Sequence, residues 1–375
     1  MRARDLGIVI GELQPGPLDA ITDVAGVRVG HTTLIEGEGL LVVGEGPVRT
    51  GVTVVIPHDG DPWLEAVYAG CHRLNGNGEL TGLEWVRESG LLTTPVALTN
   101  THSVGVVRDA IIAAEIRQRG AAETYWALPV VGETYDGRLN DMNGLHVRPE
   151  HLFAALDAAA GGPVAEGNVG GGTGMICHEF KGGIGTASRV VPEQAGGFTV
   201  GVLVQANHGR RERLAIAGVP VGREIPTSEV PSAWDDPVSA GSGSIIVIMA
   251  TDAPLLPHQC ERMAQRGALG IARAGGAGEN SSGDLMLCFA TGNRIMGAGD
   301  GDLDPAMASD VRALADAYIS PLFWAAIEAT EEAIVNALLA ARTMVGRDGH
   351  TAHALPHDRV VEIMARYSRT QGVER

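Results

Sequence analysis

Glycine occupies 52 of the 375 positions, about 14% against a usual ~7%, and no other feature constrains the fold as much. A residue without Cβ costs backbone entropy unless a tight turn or a close approach requires it, so the chain must bend sharply or press against itself at many points. The excess has no three-residue period and only 19 prolines accompany it, which excludes a collagen helix and argues against a low-complexity chain. With 45% hydrophobic and 19% charged residues the composition is that of a folded enzyme. At about 150 residues per domain the length allows two to three domain equivalents or one large unit, and we read residues 1–375 as a single domain.

The formal charge is −17, from 28 basic and 45 acidic residues. Such a surface repels polyanions, so neither nucleic acid nor an anionic membrane is an expected partner. Cys71, Cys177, Cys260 and Cys288 are widely spaced with no C-x-x-C pair, which reads as buried reduced thiols. The apolar stretch near the N-terminus is too short for a signal peptide and no window of eighteen apolar residues occurs, so a cytoplasmic protein is expected.

From Leu18 to Ala69, β-branched runs cut by Gly and Pro predict several strands. Helical spacing follows from Val104 to Arg119. FTVGVLVQA (198–206) and SIIVIMAT, starting at Ser244, read as strands, and an amphipathic helix should run from the Pro254/Pro257 pair to about Arg273. Residues 207–241 lack periodicity and look like a linker or processing loop. Ala306 to about Met344 is expected to be helical, broken near Pro321.

Several familiar chemistries fail on spacing. GNVGGGTG (167–174) matches neither dinucleotide nor P-loop patterns. Asp300, Asp302 and Asp304 imitate the start of a calcium loop, but Pro305 and Val311 stand where Gly and a carboxylate are needed. His350, His353 and His357 fit no zinc pattern, and no G-x-S-x-G elbow is present.

What remains is Gly241-Ser242-Gly243-Ser244, where a loop meets a strand. If the Ser244 hydroxyl attacks the Gly243 carbonyl, an N-to-O acyl shift gives an ester that water hydrolyses, leaving Ser244 with a free α-amine. That amine, with a reference pKa of about 7.7–8.0, would serve as base for its own hydroxyl. From these four residues alone, an ordinary turn is the better reading.

The wider sequence alters that balance. ITDVAGVRVGHTTL, LNGNGELTGLEW, ETYDGRLNDMNG, GTGMICHEFKGGIGTASR, VLVQANHGRR, SGSIIVIMATDAPLLPHQ and NSSGDLMLCFATGN together resemble the DmpA-type self-processing aminopeptidases, in order from about residue 20 to 293. The resemblance implies an α+β fold, a four-layer αββα sandwich like that of N-terminal-nucleophile hydrolases. It also implies cleavage between Gly243 and Ser244 into fragments 1–243 and 244–375, and a homo-oligomer, often a tetramer.

Carried over position by position, it makes Ser244 the nucleophile, with Ser282 and Asp284 of NSSGD beside it; some relatives have Glu in place of Asp284. Asn207 and Tyr135 match the groups that hold the oxyanion, and Glu133 is the candidate for pairing with the substrate's free amine. Cys177 and His178 are read as structural. The expected enzyme removes N-terminal residues from short peptides, amides or esters through an acyl-enzyme, without metal or organic cofactor. An acyltransferase resembling ornithine acetyltransferases, or an unprocessed binding homologue, are the alternatives.

Overall fold

The computed structural model describes residues 1–120, 125–235, 243–296 and 309–371. Its first sheet joins β1 (Arg28–Glu36), β2 (Val48–Ile56), β5 (Val96–Asn100) and β6 (Val130–Thr134) in the order β1-β2-β5-β6. The second has six strands. These are β3 (Glu65–Gly76), β4 (Leu91–Leu92), β9 (Gly183–Val190), β10 (Thr199–Asn207), β11 (Ser244–Thr251) and β12 (Gly283–Met296), ordered β4-β3-β12-β11-β10-β9. A two-stranded hairpin, β7 (Ile176–Cys177) and β8 (Phe180–Lys181), precedes β9.

Side-chain alternation sorts the layers, because successive residues of a strand point to opposite faces. On β11, Ile246, Ile248 and Ala250 pack with Val55, Leu98 and Val130 of the first sheet, whereas Ile245, Val247 and Met249 pack toward helices. Those helices are α5 (Pro257–Arg273) and α6 (Ser320–Ala340). The outer face of the first sheet is covered by α2 (Val104–Arg119) and α3 (Pro149–Asp157), with Val52, Val54, Ala97 and Val131 against Val107, Ile111 and Leu152. The result is helix, sheet, sheet, helix, as the resemblance implied. Among the described residues, three shorter or peripheral helices complete the set: α1 (Leu83–Ser89), α4 (Val221–Glu224) and α7 (His357–Gln371). Among the described residues no helix is long and apolar enough to cross a membrane.

Four local expectations need correction. Ile21–Asp23 forms a 3-10 turn instead of opening a strand, because the Asp23 carboxylate accepts the N–H groups of Leu18 and Ala20. The segment after β10 is no linker as far as residue 235. Ile216, Val221 and Ile225 are buried, and the buried Arg211 guanidinium donates to the carbonyls of His178, Glu179, Ile225 and Val230. The rest of that stretch, 236–242, lies outside the described residues, as do Asp300, Asp302, Asp304 and Pro305. Pro321 does not break a helix but starts one, in the first turn of α6, where its missing N–H has no partner to lose. Residues 309–315 ahead of it are not helical.

Candidate active site

The antiparallel register of β10 and β11 pairs Asn207, the last residue of one strand, with Ser244, the first of the other. Both strands are buried runs of β-branched and small residues, so a slip of one position would turn every apolar side chain to the wrong face. Gly243 packs so tightly on this pair that a methyl group there would collide with the Asn207 carbonyl. Glycine is therefore required at the residue before Ser244.

Ser244 is 5% exposed, and its Oγ accepts the Gly283 N–H at 3.0 Å. Since β12 runs parallel to β11, with Ile245 opposite Asp284, the start of β12 brings Ser282 and Asp284 to the same end of the sheet. The Ser282 hydroxyl donates to Asp284 Oδ1 at 2.6 Å. Burial pushes the Asp284 carboxyl up to about 6; the Ser282 hydroxyl and the Ile245 N–H, which favour the ionised form, offset only part of that rise.

Asn207 is held at both ends of its amide. Oδ1 accepts the Ile176 N–H at 2.7 Å and Nδ2 donates to the Tyr135 carbonyl at 3.0 Å, an arrangement that assigns the flip and leaves the second N–H of Nδ2 without a partner among the described residues. The main chain of Tyr135 thus touches Asn207 directly. Its phenol is 39% exposed, lies against Gly137 and forms part of the cavity wall.

Glu133, on β6, lines the same cavity and is 3% exposed. One carboxylate oxygen accepts the Glu79 N–H at 2.9 Å, and the other accepts the Thr101 hydroxyl. Burial pushes its carboxyl up, against those two hydrogen bonds. The cavity measures about 510 Å³ and is lined by Ser244, Gly243, Glu133, Tyr135, Thr101, Asn77, Gly78, Glu79, Trp234 and Ser281. A larger cavity, about 600 Å³, shares only Trp234 with it and contains none of the expected site residues.

Ser244, Tyr135 and Glu133 line this cavity, whereas Asn207, Ser282 and Asp284 do not line it and are placed at the Ser244 end of the second sheet by strand register. Sequence reasoning missed the Gly283 N–H, Thr101, Trp234 and the Asn77–Glu79 wall. The wall falls inside the quoted string LNGNGELTGLEW, so its signal was present; Thr101 and Trp234 carry none, since only folding brings them to the cavity.

A serine at a strand's first residue, with a neutral amide opposite and a hydroxyl–carboxylate pair alongside, is a hydrolase arrangement on an N-terminal-nucleophile fold. The model of peptidase family S58 matches residues 19–352, and the chain belongs to that family; it is a serine-type peptidase. It is 50% identical to the beta-peptidyl aminopeptidase BapA of Sphingosinicella microcystinivorans over 378 residues, covering 98% of this chain and 93% of that one. A beta-aminopeptidase from Burkholderia sp. has a similar structure, with TM-score 0.90, 54% identity, and 98% and 99% of the two chains covered. So does the L-aminopeptidase D-Ala-esterase/amidase of Ochrobactrum anthropi, described as a variant of the Ntn hydrolase fold, at TM-score 0.88, 44% identity, and 98% and 99% coverage.

Proposed function

We propose that the protein is a self-processing aminopeptidase that releases the N-terminal residue of short peptides, amides or esters. Chain cleavage at Gly243-Ser244 gives fragments 1–243 and 244–375 of one domain and frees the Ser244 amine. The Ser244 hydroxyl then attacks the substrate carbonyl while its own amine takes the proton. Ser282 and Asp284 hold that amine and stabilise its charged form. The remaining N–H of Asn207 meets the developing oxyanion, with the Tyr135 hydroxyl as the second donor. Glu133, fixed by Thr101 and Glu79, pairs with the substrate ammonium and restricts the enzyme to free N-termini.

One observation carries this reading: the β10–β11 register pairs Asn207 with Ser244, and Ser244 lines the same cavity as the buried Glu133 carboxylate. A cavity of about 510 Å³ suits a small substrate. The names of the relatives favour substrates with β-amino acids at the amino terminus. Four buried free thiols support a reducing cytoplasm, and the family resemblance supports a homo-oligomer.

The test combines a denaturing mass measurement with aminoacyl p-nitroanilides of L-, D- and β-residues. Two fragments joining at 243/244 and release from free-amine substrates are expected. A single intact 39.0 kDa chain with no turnover overturns the proposal; acyl transfer to added amines without hydrolysis points to the acyltransferase.

A further inference from the structure

The elements that flank Asn207 also bring together three side chains for which the proposed chemistry has no use. Cys177 ends β7, His178 follows in the turn to β8, and His208 directly follows Asn207. All three are buried, and one ligand atom from each lies within 4.8 Å of the other two. Cys177 Sγ is 3.9 Å from His208 Nδ1, and the two imidazoles meet edge to face with centroids 5.2 Å apart.

His178 Nδ1 lies 2.9 Å from the Arg210 carbonyl, which accepts only from an N–H; this assigns the proton to Nδ1 and leaves a lone pair on Nε2. Among the described residues that Nε2 is buried without a hydrogen-bond partner, and His208, whose own Nε2 also lacks one, turns Nδ1 toward the Cys177 thiol. A buried lone pair on His178 Nε2 with nothing to accept, beside a thiol and a second imidazole nitrogen, calls for an occupant. The rings are also clamped. A methyl on Gly209 would collide with His178, and one on Gly276 would lie 3.0 Å from His208 Cδ2. His178 and Glu179 both adopt left-handed backbone, φ 48° and 64°, a strained turn that aims the imidazole inward.

We infer that Cys177, His178 and His208 form a structural zinc site. One thiolate and two imidazoles are donors that suit Zn²⁺, while the lack of a carboxylate among them disfavours magnesium and calcium. Bonds of about 2.3 Å to sulfur and 2.0–2.1 Å to nitrogen put tetrahedral ligand atoms roughly 3.4–3.6 Å apart, so binding draws in atoms now up to 4.8 Å apart, with water as fourth ligand. The bond from His178 to the Arg210 carbonyl is the outer-shell partner that orients a metal-bound histidine. Binding releases the Cys177 proton to solvent and changes no oxidation state. The neighbouring Lys181 ammonium is engaged by the carbonyls of Gly172, Met175 and Gly182.

The three ligands lie outside the substrate cavity, and the ion acts on position, not on the reacting atoms. Ile176, next to Cys177, donates its N–H to Asn207 Oδ1, and His208 follows Asn207 in the chain, so a cation joining residues 177 and 208 braces the Oδ1 end of the amide against the Asn207 backbone. This adds a metal to a protein for which the sequence reading expected none.

The full-length protein, expressed in zinc-supplemented medium and passed through a chelating column, should carry roughly one zinc per chain by mass spectrometry. Cys177→Ala and His208→Gln should each retain less than about a tenth of that. Because either variant may fail to fold, the wild-type chain loaded with Co²⁺ supplies an independent reading, a thiolate-to-cobalt charge-transfer band in the near ultraviolet. A zinc-free wild type, zinc retained by both folded variants, or a cobalt spectrum without the sulfur band would each overturn the site. None of these readings depends on peptidase activity, so the zinc proposal and the aminopeptidase proposal fail separately.

Discussion

Asn207 and Ser244 face each other as the last register pair of the β10–β11 ladder, and the Asn207 side chain is fixed from behind by the Ile176 N–H. Asn207→Asp keeps the acceptor for that N–H and removes the donor proposed for the oxyanion. We expect kcat to fall by about 100- to 1000-fold with little change in KM, as where one oxyanion donor is lost elsewhere. Steady-state kinetics check this; an unchanged kcat removes Asn207 from the mechanism.

Ser244→Ala should remain one uncut 375-residue chain and be inactive. Denaturing mass spectrometry reads the first outcome and an aminoacyl anilide assay the second. Cleavage that persists in this variant would move the nucleophile to Ser242.

Burial raises the Asp284 carboxyl to about 6, so it is ionised at neutral pH and protonates as the pH falls through that value. If the carboxylate stabilises the charged Ser244 amine, kcat/KM should decline below about pH 6 with a slope of one proton. Asp284→Asn should lower the plateau and abolish that limb. A pH–rate profile unchanged by the substitution would exclude the carboxylate.

Glu133→Gln retains the shape and the Thr101 contact but loses the charge proposed to pair with the substrate ammonium. Charged hydrogen bonds contribute about 1.5–3 kcal/mol, so kcat/KM for free-amine substrates should drop roughly 10- to 150-fold. Hydrolysis of an N-acetylated ester by the same variant should not fall. Equal loss on both substrates contradicts amine recognition.

Away from the site, Arg189 is fully buried between β9 and α6, donating to Glu328 Oε2 at 3.2 Å and to Glu332. Arg189→Met leaves Glu328 buried without a cation and Glu332 with Arg4 alone, which should cost about 3–5 kcal/mol. Chemical denaturation of the wild type and variant measures it; a change under 1 kcal/mol means that Arg4, which also reaches Glu332 at 2.9 Å, compensates.

Strongly periodic stretches were legible before any coordinates. The helix at Val104–Arg119, the helix ending at Arg273 and the strand opening at Ser244 follow from apolar spacing and flanking Pro or Gly, which act within a few residues. The errors fell where distant partners override local preference. Residues 208–235 lack periodicity yet pack through the buried Arg211, and Ile21–Asp23 yields its β-branched preference to the Asp23 carboxylate.

The sequence by itself determined which residue types were at hand: a serine after glycine at a strand's start, an asparagine after another strand, a hydroxyl two positions before a carboxylate. Only the tertiary structure decided that they meet, because hydrogen-bond register across three strands is a long-range property. It alone sets residue 207 against 244 and the Gly283 N–H against the Ser244 hydroxyl. The same holds for Thr101 on Glu133 and for Cys177 beside His208, contacts between residues 31 or more apart in the chain, which no local pattern can encode.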